Sequence, residues 1–180
     1  MAKKQNHLEL WGFGNFTQRE PKVTPSVKEF IDNYIKGFKD NKNPKPSLVL
    51  LNNPREAMYA AGYIVQQLYN KKSLTRRCAI IDVPEFLIQM TSFQEKEQRD
   101  LKVMEDLMSC DIVVFTEVGL INVNESQRGR LYTLINKRYM DNLPFIATCS
   151  NPVGEFEKHV GDAIFSRFLN GCQFMELTND

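Results

Sequence analysis

The run Cys110-Asp-Ile-Val-Val-Phe-Thr-Glu-Val-Gly119 constrains the fold more than any other stretch. Ile112, Val113, Val114 and Phe115 form an unbroken apolar core between polar ends. A short run of β-branched and aromatic residues predicts a strand buried on both faces. Such a strand belongs to a sheet covered by helices on either side, and its chemistry sits where its carboxyl end emerges. That end is Thr116-Glu117. Taken alone, the pattern equally describes a core strand running into a polar turn.

The rest of the chain repeats the alternation. Thr24 can cap and Pro25 suits a first helical position. Val27, Phe30, Ile31, Tyr34, Ile35 and Phe38 then mark one apolar helix face, ended by the loop 41–46. Ser47–Leu51 reads as a buried strand. Ala57, Ala60, Ala61, Ile64, Val65 and Leu68 predict a helix to about Tyr69, started by an Asn53-Pro54-Arg55-Glu56 capping box. Cys78–Asp82 is a further strand, and Pro84 opens a helix through Phe86, Leu87 and Met90. A polar loop around 94–99 leads to a helix with Leu101, Met104 and Met108 on one side. Asn124 and Gln127 form a second capping box before a helix that turns Leu131, Leu134 and Ile135 inward. Arg128, Arg130, Lys137 and Arg138 are expected elsewhere on its surface. Phe145–Cys149 is a strand, a helix carries Ile164, Phe165 and Phe168, and a last strand falls near 172–177. Strands alternating with helices predict an α/β fold, a largely parallel sheet sandwiched by helices. Residues 1–23, with Trp11, Phe13 and Phe16 among glycines, read as an irregular amino-terminal arm before a single domain over 24–180.

With 180 residues, 42% apolar and 25% charged, the chain can bury one core. A net charge of +1 excludes a strong overall nucleic-acid footprint. Local basic groups remain candidates for weak DNA contact: Arg76 and Arg77 before a strand, and Arg128, Arg130, Lys137 and Arg138 on one helix. Cys78, Cys110, Cys149 and Cys172 are far apart in apolar runs, which suits reduced core thiols better than disulfides or zinc. No metal site is expected. No leader or membrane-length apolar run stands out, so a cytoplasmic location and no membrane partner are expected.

A strand, a turn and a helix at 47–69 would be the place for a phosphate-binding loop. That chemistry needs glycines for close backbone approach, a lysine for the phosphates and a Ser or Thr for magnesium. No lysine lies between Lys45 and Lys71, and Gly62 falls inside the helix. Pro54 removes an N–H, and Glu56 sets a carboxylate at the positive helix end, where it repels phosphate. The loop Asn53-Pro54-Arg55-Glu56 is degenerate as a nucleotide site.

In their order, these features resemble the P-loop NTPase-like AAA+ core of the bacterial helicase-loader family, which also includes transposition helper ATPases. In that family a strand ending Asp-Glu is followed by Gly two residues after the Glu. Thr116-Glu117-Val118-Gly119 matches except for the Asp. Thr148-Cys149-Ser150-Asn151 resembles the family's sensor at the end of the next strand. Gly161-Asp-Ala-Ile-Phe-Ser-Arg167 resembles its Gly-Glu-Arg-x-x-x-Arg helix, keeping only the second arginine. The resemblance spans about 24–177, and the chain stops where a helical lid would follow, so no lid is expected.

The resemblance implies a DNA-replication accessory protein whose partners are a replicative helicase, a loader-type ATPase or an initiator, in homo- or hetero-oligomers, with weak contact to single-stranded DNA. It implies Glu117 as a vestigial catalytic carboxylate, Arg167 as an arginine finger acting in trans, and Ser150 and Asn151 as sensor-like residues. Because the departures fall on the nucleotide site, the favoured expectation is a non-hydrolysing module without a cofactor. The alternative is an ATPase using ATP and Mg²⁺ whose site a partner subunit completes.

Overall fold

Five of the six strands coincide with apolar runs that local chemistry already marks. The computed structural model describes residues 10–11, 20–38, 47–71, 73–74, 78–89, 97–119 and 124–177. In chain order the elements are β1 (Leu10–Trp11), α1 (Pro25–Gly37), β2 (Ser47–Leu51), α2 (Pro54–Asn70), β3 (Cys78–Asp82) and α3 (Val83–Gln89). They continue with α4 (Glu97–Ser109), β4 (Ile112–Thr116), α5 (Glu125–Met140), β5 (Phe145–Cys149), α6 (Val153–Val160), α7 (Asp162–Gly171) and β6 (Cys172–Glu176). The strands pair in parallel in the order β1-β3-β4-β5-β2-β6. This bears out the sandwiched parallel sheet.

Period-two alternation distributes each central strand between two cores. Val49, Leu51, Val113, Phe115, Phe145 and Ala147 face the layer built by α3 to α7. Leu48, Leu50, Ile112, Val114 and Ile146 face the layer of α1 and α2. Every residue of β2, β4 and β5 is buried, which is why their sequences are continuous apolar runs. Each fully buried aliphatic side chain contributes roughly 1.5–3 kcal/mol through removal from water. Phe145, Phe156, Phe165 and Phe168 add edge-to-face ring contacts at 5.1–5.7 Å beneath α6 and α7.

Helix starts follow the local signals. Thr24 Oγ1 accepts from the Val27 N–H, and Pro25 occupies the first turn of α1. The Asn124–Gln127 capping box is complete, with both reciprocal bonds at 2.9–3.0 Å. Three sequence expectations are corrected. Helix α4 begins at Glu97, inside the stretch expected to be loop. Helix α6, which buries Phe156 and Val160, was not foreseen, because a pair four residues apart in an eight-residue element gives too little periodicity. Within the expected irregular arm, Leu10–Trp11 pairs with Cys78–Ala79 as a short edge strand. The remainder of that arm up to residue 19, the loop 41–46, and Arg76 and Arg77 lie outside the described residues.

Cys78, Cys110 and Cys149 are buried and Cys172 half-buried, all as free thiols. Burial pushes the Cys78 thiol up to about 12 and raises those of Cys149 and Cys172 as well, so they are poor nucleophiles. Among the described residues no helix is long and apolar enough to cross a membrane.

Candidate functional site

Strand order places the candidate site. Neighbouring strands β2 and β5 send their following helices to opposite layers, α2 to one and α6 to the other. Outside the carboxyl ends of two such strands a parallel sheet opens a crevice, and ligands of α/β proteins bind there. Asn52, Asn53, Ser150 and Asn151 emerge at this point, with Glu117 on the adjoining strand end.

The β2–α2 connection is only Asn52 and Asn53, and both are left-handed, with φ of 60° and 42°. Asn tolerates this region better than most residues do. The Asn52 N–H donates to the Cys149 carbonyl at 2.9 Å, tying the turn to β5. Asn53 Oδ1 accepts from the Glu56 N–H at 3.4 Å, and Pro54 fills the first turn without an N–H. A two-residue turn has no backbone to wrap around a phosphate. Glu56 is buried, and its Oε2 accepts from the Lys22 N–H at 2.7 Å, so its carboxylate anchors the irregular segment leading into α1. The Arg55 side chain is exposed beside Tyr59, its guanidinium carbon 6.0 Å from the ring centre.

At the end of β4, Thr116 is buried and its hydroxyl donates to the Ile81 carbonyl at 3.2 Å. The Thr116 hydroxyl is therefore spent inside the sheet. Glu117 takes φ 55°, a strained conformation for a non-glycine residue, costing about 1–2 kcal/mol. Its N–H donates to Thr148 Oγ1 at 3.1 Å, and the Val118 N–H donates to the Thr148 carbonyl at 3.0 Å. Ser150 Oγ donates to Glu117 Oε2 at 2.6 Å, a short charge-assisted bond. The structure thus brings Glu117, Thr148 and Ser150 together. Ser150 and Asn151 do not cap the next helix: α6 starts at Val153, with Pro152 in the N-cap position and no side-chain cap. Gly119, with φ 101°, lets His159 pack against the turn, where a Cβ would sit 3.1 Å from that of His159.

Arg167 lies on α7, half-buried against α5. Its Nε donates to Asn136 Oδ1 at 2.7 Å and an Nη donates to the Tyr132 hydroxyl at 3.3 Å. The guanidinium lies 5.9 Å and 5.5 Å from the rings of Tyr132 and Tyr139. These partners were not legible in the sequence, since Asn136 and Tyr132 lie 31 and 35 residues from Arg167 and Tyr139 is almost as distant.

Arg138 requires a correction. It was expected on the α5 surface as a DNA contact, but it is fully buried. Its guanidinium donates to the carbonyls of Leu107, Cys110 and Pro144 at 2.6–3.0 Å, with Asp111 at 3.5 Å. Burial pulls its pKa down to about 10, which still leaves it charged at neutral pH. Arg128 is exposed beside Gly161, Arg130 is half-buried, and Lys137 pairs with Asp141 at 2.7 Å. At 100° per residue, Arg130 and Lys137 share a side of α5 while Arg128 lies opposite, so the helix carries no single basic face. Among the described residues no three His, Cys, Asp or Glu converge as metal ligands.

No family model and no curated protein matches the sequence. Solved structures do match. The DnaC helicase loader superposes with a TM-score of 0.73 at 16% identity, over 92% of this chain and 98% of that one. A putative primosome component from Streptococcus pyogenes serotype M3 gives 0.74 at 12% identity, over 95% and 92%. DnaA from Aquifex aeolicus gives 0.68 at 14% identity, over 90% of this chain and 49% of that one. At such identities the likeness is one of architecture: the chain has the parallel α/β fold of the helicase loader, primosome component and initiator it superposes on.

Proposed function

We propose that this chain is a DNA-replication accessory module that binds a replication partner, a replicative helicase, a loader-type ATPase or an initiator, without turning over ATP. The observation that carries the reading is the two-residue turn between β2 and α2. Phosphoryl transfer depends almost wholly on positioning and charge stabilisation. At this turn there is no glycine loop, no lysine and no hydroxyl for a metal. Instead Pro54 lacks an N–H and the Glu56 carboxylate sits in the first helical turn, where it repels phosphate. The superposed loader, primosome and initiator structures support a replication setting. Titration of ATP with Mg²⁺ by calorimetry tests the reading. No saturable heat is expected up to about 1 mM, a binding free energy weaker than about −4 kcal/mol. Saturation at micromolar ATP would overturn it.

A second reading has one observation in its favour. Glu117 is held in a strained conformation at the switch point and hydrogen-bonded to Ser150, an arrangement that fits a catalytic carboxylate. In this reading the protein is an ATPase whose nucleotide site a partner completes, with ATP and Mg²⁺ as cofactors and Arg55 as the substitute cation. Loss of ATP binding in Arg55→Ala, measured with the partner present, would favour it.

A further inference from the structure

The sheet ends on an unprotected edge. β6 pairs with β2 on one side only, and among the described residues no strand lies on its other side. The Leu177 N–H donates to the Leu51 carbonyl at 2.9 Å, so it points toward β2. Backbone groups alternate along a strand, so those of Gln173 and Met175 also point inward and those of Cys172, Phe174 and Glu176 point outward. The Cys172 N–H is taken by the Phe168 carbonyl as α7 ends. The Phe174 and Glu176 N–H groups and the carbonyls of Cys172 and Phe174 are left along the edge. Native edges are usually blunted by Pro, Lys, a bulge or an inward charge. Cys172–Glu176 has no Pro, no Lys and a regular register, and its one charge, Glu176, is exposed at the last position of the strand.

The flank beside the edge is apolar. Phe174 is half-buried toward the α3–α7 layer. In that layer α7 packs on β2 and β6, with α5 on its other side. Arg167 and Gly171 meet the α5 tyrosines. Leu169, about 200° around the helix from each, therefore turns away from α5 toward the β6 side. It is 56% exposed.

We propose that β6 and the Leu169 flank of α7 form a dimerisation edge for a second copy of this chain, joined antiparallel about a two-fold axis at Phe174. The outward groups fit this occupant. Phe174 exchanges both backbone bonds with its counterpart, and each Glu176 N–H donates to the Cys172 carbonyl of the second copy. The one outward N–H already used, that of Cys172, is not needed for these four bonds. The paired Phe174 rings meet on one face, next to both Leu169 side chains. Each Glu176 stands opposite an uncharged cysteine, and the net charge of +1 gives no bulk repulsion. The joined sheets form a continuous, closed, two-fold assembly.

Sedimentation equilibrium of the full chain tests this. A reversible dimer is expected to build up between about 1 and 200 µM, as suits a modest interface. Leu169→Glu, at an exposed position the fold does not need, should weaken it about tenfold or more. Amide exchange gives the readout specific to strand pairing: the Phe174 and Glu176 amides slow as the dimer forms. A chain that stays monomeric throughout overturns the proposal. So does a dimer that ignores Leu169→Glu and leaves those two amides fast, which puts the contact on another face. Slow amides in the monomer at the lowest concentration overturn it too, because another segment of the same chain would then cover the edge.

Discussion

Arg138 is the residue on which the fold spends most to satisfy polar groups. Its guanidinium sits where the carboxyl end of α4 meets the starts of β4 and β5, and it donates to carbonyls at all three places. A cation suits the negative end of a helix, and here it serves the carbonyl of Leu107, late in α4, and that of Cys110 just past its end. The desolvation cost is real, and Nε finds no acceptor. Removing the group is expected to be worse than keeping it, because several carbonyls lose their donors together. Arg138→Ala should destabilise by about 3–5 kcal/mol, read from urea unfolding at unchanged m-value. A loss below about 1 kcal/mol would mean that water replaces the guanidinium. The sequence held a usable signal here: Leu131, Leu134 and Ile135 set the buried stripe of α5, and Arg138 falls seven, four and three residues after them. Charge alone argues for the surface, and position on the helix argues against it.

At the scale of elements, α5 decides how the chain can meet DNA. With Arg138 buried, Lys137 paired to Asp141 and Arg128 on the opposite side from Arg130, no row of free cations follows one face. Contact with single-stranded DNA is therefore expected to be weak and sequence-tolerant, and to fade as salt rises, since each phosphate contact releases counterions. Fluorescence anisotropy at about 50 and 200 mM salt reads it. Tight binding that ignores salt would contradict the expectation. Short elements were the hardest to read. β1 is two residues long and α6 eight, too little chain for periodicity to separate them from loop. The five longer strands and the capped helices announce themselves because each is a run or stripe that its own residues complete.

At the scale of the molecule, α5 and α7 are pinned by Arg167 between Tyr132, Asn136 and Tyr139, with Gly171 packed so closely on Tyr139 that a Cβ would sit 2.8 Å from its ring. We propose that the same arginine can serve a neighbouring ATPase in trans, in which case it must leave this cradle. Two hydrogen bonds and the ring contacts set that cost at about 1–3 kcal/mol. Two readouts separate the roles. Arg167→Ala should lower unfolding stability by about that amount if the seam needs it. Added to a loader-type ATPase from the same source, the wild-type chain should change hydrolysis and Arg167→Ala should not, since an arginine finger is worth several orders of magnitude in rate. If neither chain changes hydrolysis, Arg167 belongs to the seam alone.

The sequence by itself determined the strands Ser47–Leu51, Cys78–Asp82 and Phe145–Cys149, the caps at Thr24 and Asn124, and the lack of glycine and lysine at the β2–α2 turn. These are local matters: burial on both faces needs a continuous apolar run, a cap needs an oxygen three residues ahead of its N–H, and a cradle needs its own residues. Tertiary structure alone decided the order of the strands, which opens the crevice between β2 and β5. It also decided the Ser150 bond to Glu117, the Lys22 anchor on Glu56, the burial of Arg138 and, among the described residues, the open edge of β6. The physical reason is common to these. Periodicity reports that a residue is buried or exposed, whereas a polar group's fate depends on which donor or acceptor the fold brings to it, from 33 residues away for Ser150 and Glu117 and 34 for Lys22 and Glu56.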